Sequence, residues 1–122
     1  MPTPYANRHQ PPSTHAIMTL EEMQQTVDRW VSQWEEGYWE PLANLARLTE
    51  EVGELSRELN DQYGPKTKKP SESKGEIAEE LGDVLFVVAC IANSLDIDLE
   101  KAFRDVMEKY DLRDADRWTP GD

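Results

Sequence analysis

Apolar residues that recur at helical spacing constrain the fold of this chain more than any other feature. The clearest run goes from Leu45 to Leu59, where four leucines and a valine follow one another with gaps of 3, 4, 3 and 4 residues. This spacing places all of them on one face of an α-helix. Three other segments have the same period, and none alternates apolar and polar residues as a strand does. The sequence therefore predicts an all-α fold of four helices.

Helix starts are predicted by two kinds of residue: those whose side chains accept a hydrogen bond from a free backbone amide, and proline, which has no amide hydrogen to satisfy. These are Thr19 with Glu22, Pro41, Ser73 with Glu76, and Asp98. Gly37 is expected to end the first helix, and the second is expected to end near residues 63–65. Residues 64–75 are basic and rich in Gly, Pro and Ser, which predicts a mobile loop. Its Lys66, Lys68 and Lys69 are weak candidates for phosphate contacts, with simple solvation as the alternative.

The chain of 122 residues is long enough for one core and too short for two domains. We expect a disordered N-terminal arm over residues 1–18, one helical domain over 19–118 and a tail over 119–122. The longest apolar run, Val84–Ala92, is too short to span a membrane, and no secretory signal is evident. Cys90 is the only cysteine, so no internal disulfide forms. A cytoplasmic protein is expected.

The charge of the chain limits its partners. With 25 acidic and 13 basic residues, the formal net charge is -12. Such a surface repels phosphate backbones, which argues against nucleic-acid binding. A polyanionic small molecule can bind only if cations accompany it.

The third helix predicts self-association. It is apolar nearly all round between Val84 and Ala92, and such a helix needs cover on several sides. Four short helices cannot supply that cover, so we expect a homodimer or a homotetramer built as a dimer of dimers.

Two pairs of carboxylates are the main candidates for chemistry. Glu51 with Glu54 and Glu80 with Asp83 are each three residues apart, so each pair lies on one helix face beside an apolar seam. Two carboxylates about 5 Å apart repel by roughly 3 kcal/mol at an effective dielectric of 20, so facing pairs must protonate or hold a cation. Oxygen-only ligands favour Mg²⁺, with Mn²⁺ as a substitute.

A glycine lies inside each acidic motif. Gly53 and Gly82 occupy helix-interior positions, where glycine costs about 1 kcal/mol relative to alanine. Their presence predicts that something approaches the helix backbone closely at both places.

The acidic motif resembles that of a known family. The pattern EExxE, a gap of 25 residues and ExxD resembles the MazG-like all-α nucleotide pyrophosphohydrolases, which are related to the dimeric dUTPases. The longer strings LTEEVGELSREL, EIAEELGDVLFVVACIANSLDIDLEKAF and KYDLRDADRW are similar to the short, single-domain bacterial members of the YpjD type. The similarity covers roughly residues 20–118.

This resemblance implies a four-helix, dimeric fold and Mg²⁺-dependent hydrolysis of a nucleoside triphosphate to monophosphate and pyrophosphate. The substrate is expected to be a deoxynucleotide, and the purpose to be pool cleansing or control of dNTP levels. By transfer, the metal ligands are Glu51, Glu54, Glu80 and Asp83. The resemblance also implies that Glu50 supports a second ion or helps to orient the attacking water. Glu50 and Glu51 are the candidate catalytic carboxylates, and Glu50 is the expected acceptor of that water's proton.

Candidate substrate contacts lie on other helices. Lys109 and Arg113 are four residues apart and can face one phosphate, and the family's Lys-x3-Arg pattern supports that role. Arg117 is a weaker candidate. Trp34 or Trp39 can stack on a base, whereas Trp30 is expected to pack in the core. The alternatives for Asn93 are a bridge between helices and a contact to the nucleotide.

Three other functions were compared with this one. A di-iron or di-manganese oxidoreductase is disfavoured because neither central helix carries a Glu-x-x-His pair. A dUTPase-type diphosphatase and a non-catalytic acidic helical interaction module both remain compatible with the residues. The preferred base and sugar are not determined by the sequence.

Overall fold

Four α-helices form the fold of the described residues. A computed structural model describes residues 17–122. Positions 1–16 of the predicted N-terminal arm lie outside the described residues. The helices are α1 (Leu20–Ser32), α2 (Pro41–Tyr63), α3 (Ile77–Ser94) and α4 (Leu99–Arg113). No strand occurs within residues 17–122, and the predicted all-α fold is confirmed.

The start of α1 is as predicted, but its end is not. Thr19 Oγ1 accepts a hydrogen bond from the Glu22 amide at 3.1 Å, and the Thr19 amide donates to Glu22 Oε1 at 3.2 Å, which completes a capping box. The helix then ends at Ser32, before the predicted stop at Gly37. Gly37 has a φ of 64°, so it supports a later turn in the left-handed region. Trp34 therefore follows the helix instead of lying on it.

The predicted cap of α3 is wrong, whereas that of α4 is confirmed. The N-cap of α3 is Glu76, which makes no side-chain capping bond. Ser73 does not cap the helix, and its carbonyl oxygen instead accepts a hydrogen bond from Lys68 Nζ at 2.7 Å. Asp98 Oδ1 accepts from the amides of Glu100 and Lys101 at 3.0 and 3.2 Å, as expected for an N-cap.

Helix α3 lies at the centre and packs against both α2 and α1. Glu51 on α2 lies beside Glu80 on α3, and Arg47 on α2 lies over the ring of Phe86 on α3. Glu58, further along α2, lies against Gly75 just before α3 begins, so the two helices run antiparallel. The core between α1 and α3 consists of buried side chains, namely Val27, Val31, Ala89 and Cys90. Helix α4 packs against α1. This arrangement brings the two acidic motifs opposite each other.

One face of α3 is buried within the chain and another is not. Leu81 and Leu85 are 48% and 50% exposed, and α4 has no buried residue at all. The predicted burial of α3 on several sides is therefore not supplied by residues 17–122. Among these residues no helix is both long and apolar enough to cross a membrane.

Candidate metal centre

Three carboxylates from two helices converge at the interface of α2 and α3. Glu51 on α2 and Glu80 and Asp83 on α3 each offer one oxygen atom, and these three oxygens all lie within 4.8 Å of one another. Glu51 and Glu80 are partly buried. The three-residue spacing of Glu80 and Asp83 puts both on the α3 face that meets α2. We call Glu51, Glu80 and Asp83 the carboxylate cluster.

The electrostatics of the cluster suit a bound cation. Partial burial raises the pKa of Glu80, and the negative charges of Asp83, Glu54, Glu51 and Glu79 raise it further. All the charges that shift this pKa are therefore of one sign. Like charges at this distance are stabilised by a hard cation with oxygen ligands, and the donor set here contains carboxylate oxygens alone. The residues fit Mg²⁺ or Mn²⁺.

The other predicted acidic residues lie beside the cluster. Glu54 is exposed, and its charge acts on Glu80, but it is not one of the three residues whose oxygens converge. Glu50 is also exposed and outside the group. Its role as a proton acceptor stays a prediction.

The glycines of the acidic motifs are not required by packing within this chain. A Cβ built on Gly53 or Gly82 would meet no atom of the described residues within 4 Å. The close approach predicted from these glycines is thus not made by residues 17–122.

Lys109 and Arg113, which are predicted to bind phosphate, lie on α4, away from the interface of α2 and α3, and Arg117 follows the end of that helix. Lys109 and Arg113 both lie near the ring of Tyr110, with Arg113 Cζ 4.9 Å from its centroid. Arg113 also donates to both carboxylate oxygens of Asp114, at 3.2 and 3.0 Å. Arg117 lies 3.6 Å from the same carboxylate and 5.0 Å from the ring of Trp118. The chain does not bring these cations to its own carboxylate cluster.

An aromatic groove of about 310 Å³ opens where α1 and α2 meet α3. Trp34, predicted as a base-stacking residue, lines it together with Trp30 and Trp39. Trp30 is 53% exposed, so its predicted place in the core is wrong. It instead makes an edge-to-face contact with Phe86, with 5.6 Å between ring centroids.

Sequence reasoning missed the cation in this groove. Arg47 Cζ lies 5.2 Å from the Trp39 ring centroid and 5.3 Å from that of Phe86. The only sign of it in the sequence is that Arg47 is a basic residue of α2 outside its run of regularly spaced leucines. Only the tertiary contact between α2 and α3 shows that it is held between two rings.

Asn93 is a bridge between helices. Its Nδ2 donates to the Gln24 carbonyl and to the Tyr38 hydroxyl, both at 2.9 Å, and its Oδ1 accepts from Gln24 Nε2 at 3.0 Å. Tyr38 in turn donates to Asp28 at 2.6 Å. Burial and the bond to Asp28 raise the pKa of Tyr38 to about 12, so it stays protonated at neutral pH. These bonds favour the bridging interpretation of Asn93.

The loop before α3 is tied to α2, and the Lys68 side chain is buried, so the alternative of simple solvation is wrong for this residue. The side chains of Lys68 and Glu58 are 8% and 4% exposed and form an ion pair. A second pair, Arg57 with Glu72 at 2.7 Å, joins the same helix to the same loop at the surface. Sequence reasoning identified neither pair.

Replacing Glu80 should have opposite effects on stability with and without metal. Because the pKa of Glu80 is raised, its protonated form favours the folded state and its ionised form opposes folding. The favourable contribution to stability is therefore complete below the ordinary pKa of a glutamate and is lost as the pH rises through the raised value. We therefore expect Glu80→Gln to raise the melting temperature of the Mg²⁺-free protein near neutral pH, with the difference closing toward about pH 4. In excess Mg²⁺ the wild type should gain more than the variant.

Circular dichroism melts over a pH series, with chelator or with Mg²⁺, measure both effects. Asp105→Asn on α4 is the control, since it also removes one negative charge but lies outside the cluster. If Mg²⁺ raised the melting temperature of Glu80→Gln as much as that of the wild type, Glu80 would not be a ligand.

The chain is similar to one family model and to several known proteins. Residues 40–118 match the model of the MazG nucleotide pyrophosphohydrolase domain. The uncharacterized protein YpjD of Bacillus subtilis is 56% identical over 101 residues, which cover 83% of this chain and 91% of YpjD. The uncharacterized protein YvdC of the same organism is 30% identical over 97 residues, covering 71% of this chain and 92% of YvdC.

Two crystal structures have the same fold. That of YpjD from Bacillus subtilis superposes with a TM-score of 0.71 at 53% identity and covers 79% of this chain and 98% of its own. That of the Bacillus-conserved MazG protein, a nucleotide pyrophosphohydrolase, has a TM-score of 0.69 at 51% identity and covers 84% and 100%. The matched residues 40–118 include the whole carboxylate cluster.

Proposed function

Because this chain belongs to the MazG nucleotide pyrophosphohydrolase family, we propose that it hydrolyses nucleoside triphosphates, with deoxynucleotides as the expected substrates, to a nucleoside monophosphate and pyrophosphate. The observation that carries the proposal is the convergence of three carboxylate oxygens from α2 and α3 within 4.8 Å. A protein with a formal charge of -12 needs cations to hold a triphosphate, and this cluster is the place that fits them.

In this proposal Glu51, Glu54, Glu80 and Asp83 hold Mg²⁺. The bound ion supplies neutralisation of the phosphate oxygens and a lower pKa for a coordinated water. Glu54 is one helical turn from Glu51, so a rotamer change can add its carboxylate to the three that already converge. Mn²⁺ can replace Mg²⁺ with the same oxygen ligands.

The remaining roles fall to other side chains. Glu50 accepts the proton of the water that attacks the α-phosphorus, and the bond to the pyrophosphate oxygen breaks. Lys109, Arg113 and, more weakly, Arg117 hold phosphate oxygens. Trp34 stacks on the base at the aromatic groove, where Trp39 and Arg47 complete the wall. Asn93 acts on the groove through its bond to the hydroxyl of Tyr38, which lines it.

A second copy of the chain belongs to this proposal. Helix α4 carries Phe103 at 57% and Leu112 at 76% exposure, and α2 carries Leu42 at 80%. Apolar surface of this extent is typical of a helix that is covered by a partner. A homodimer, or a homotetramer built from two dimers, covers these faces and can bring α4 of one chain to the carboxylates of the other.

A panel of normal and damaged nucleotides tests the function. We expect Mg²⁺-dependent release of pyrophosphate and a nucleoside monophosphate from at least one nucleoside triphosphate, and no activity with chelator present. Orthophosphate as the first product would place the cleavage at another bond. Turnover of dUDP as well as dUTP would indicate the dUTPase-type diphosphatase. Absence of both turnover and Mg²⁺ binding would indicate a non-catalytic module.

A further inference from the structure

A buried ion pair joins α2 to the loop that leads into α3, next to the carboxylate cluster. Glu58 and Lys68 are ten residues apart, and both side chains are almost fully buried. Glu58 lies one turn beyond Glu54 on the same face of α2. Both residues line an open groove of about 440 Å³, which Glu54 and Glu80 also line. The pair and two of the proposed metal ligands thus border one space.

Lys68 fixes the loop at several points. Its Nζ donates to Glu58 and to the Ser73 carbonyl, the latter at 2.7 Å, and its backbone amide donates to Asp61 Oδ1 at 2.7 Å. Ser73 lies only four residues before the first residue of α3, and Glu80 is in the first turn of that helix. These bonds therefore tie the segment just before α3 to a defined position along α2.

Gly75 lies directly against the carboxylate of Glu58. A Cβ at Gly75 would lie 2.7 Å from Glu58 Oε1 and 3.3 Å from Oε2, so the loop backbone rests directly on the carboxylate. Its φ is not in the left-handed region, and the close approach alone explains the glycine. The loop backbone at Gly75 is therefore packed against the carboxylate that pairs with Lys68.

Stability alone does not account for the pair. Replacing a buried ion pair by apolar residues of similar volume is often neutral or stabilising, because desolvation offsets the attraction of the charges. Glu58 Oε2 is moreover buried without a hydrogen-bond partner among residues 17–122, which adds a further cost. In some proteins a buried pair of this kind specifies one arrangement of the chain.

We propose that Glu58 and Lys68 are positioning residues for the metal centre: they fix the start of α3 against α2 and thereby set the separation of Glu51 and Glu54 from Glu80 and Asp83. The inference rests on the proposed Mg²⁺ site and extends it to two residues that do not touch the ion. Outer residues that orient metal ligands commonly change metal affinity by 10–100-fold when they are replaced.

The test compares two double variants of the full chain. Glu58→Met with Lys68→Met removes the buried pair, and Arg57→Met with Glu72→Met removes the exposed pair between the same helix and the same loop. Each keeps the formal charge, so the long-range field on the ion is matched. Titration calorimetry with Mg²⁺ alone measures affinity, and circular dichroism in chelator measures stability separately.

We expect the buried-pair variant to bind Mg²⁺ about 10-fold more weakly or worse, and the surface-pair variant to stay within about twofold of the wild type. A purely structural pair would change the melting temperature in chelator and leave the affinity unaltered. Wild-type affinity in a folded buried-pair variant overturns this inference and leaves the metal site standing. Failure of the wild type itself to bind Mg²⁺ overturns the proposed site as well.

Gly75→Ala provides a second route if the double variant does not fold. The added methyl group presses on the Glu58 carboxylate without removing a charge, so we expect a roughly 3- to 10-fold loss of Mg²⁺ affinity. Gly121→Ala, where a Cβ would meet nothing within 4 Å, is its control. A folded Gly75→Ala variant with unaltered affinity overturns the inference in the same way.

Discussion

Asp83→Asn is expected to lower the rate of pyrophosphate release by about three orders of magnitude or more, because a bound metal supplies several kcal/mol of transition-state stabilisation. The substitution replaces one of the three converging carboxylates with an uncharged amide of the same shape. Since Asp83 lies in the interior of α3 and makes no capping bond, the helix content should not change. Turnover with excess Mg²⁺ and the circular dichroism spectrum measure the two effects.

Glu79→Gln is the matched control for this substitution. Glu79 is an exposed acidic residue in the first turn of α3 and contributes to the negative field on Glu80, but it is not part of the carboxylate cluster. Its replacement should leave turnover within about threefold of the wild type, as expected for a screened surface charge. Glu54→Gln should behave like Asp83→Asn. Normal pyrophosphate release by the folded Asp83→Asn variant would refute the assignment of the site.

Local sequence signals were sufficient for the helices. The seam from Leu45 to Leu59 and the limits at Pro41 and Tyr63 correspond to α2 as observed. The capping box at Thr19 and the Asp98 cap also form, because each depends on residues within one turn. Spacing alone could not predict the end of α1, since Trp34 keeps the helical period although the chain has already turned toward Gly37.

Tertiary contacts explain the errors in the loop. Ser73 has the residue type and spacing of an N-cap, yet its carbonyl is bound by a lysine from five residues earlier. That lysine is itself buried because Glu58 offers a carboxylate from α2. Glu58 and Lys68 are ten residues apart and meet only because the irregular loop turns back onto α2, so no local sequence pattern relates them.

The convergence of Glu51 with Glu80 and Asp83 was predictable, because two helices joined by a connection must place facing motifs side by side if they run antiparallel. The exposure of Trp30 and the position of α4 were not. Both depend on how α1 and α4 pack against the rest of the chain, which the spacing of residues within one helix does not describe.

Two inactive variants are expected to restore activity to each other. The cations Lys109 and Arg113 lie on α4, which packs against α1, while the carboxylates lie between α2 and α3. If the phosphate is held by both groups, α4 must come from a second chain. Asp83→Asn and Arg113→Ala should each be inactive alone, and a refolded mixture should recover about a quarter of wild-type activity.

The fraction follows from symmetry. Random pairing makes half of the dimers mixed, and each mixed dimer has one site with both defects and one site with neither. If the cations acted on the carboxylates of their own chain, every site in the mixture would carry one defect, and activity would stay at background. Asp83→Asn mixed with Glu51→Gln is the control, since both defects then lie on the same side of the site and no arrangement of chains restores it. Recovery in the first mixture but not in the second would therefore establish an active site shared between two chains.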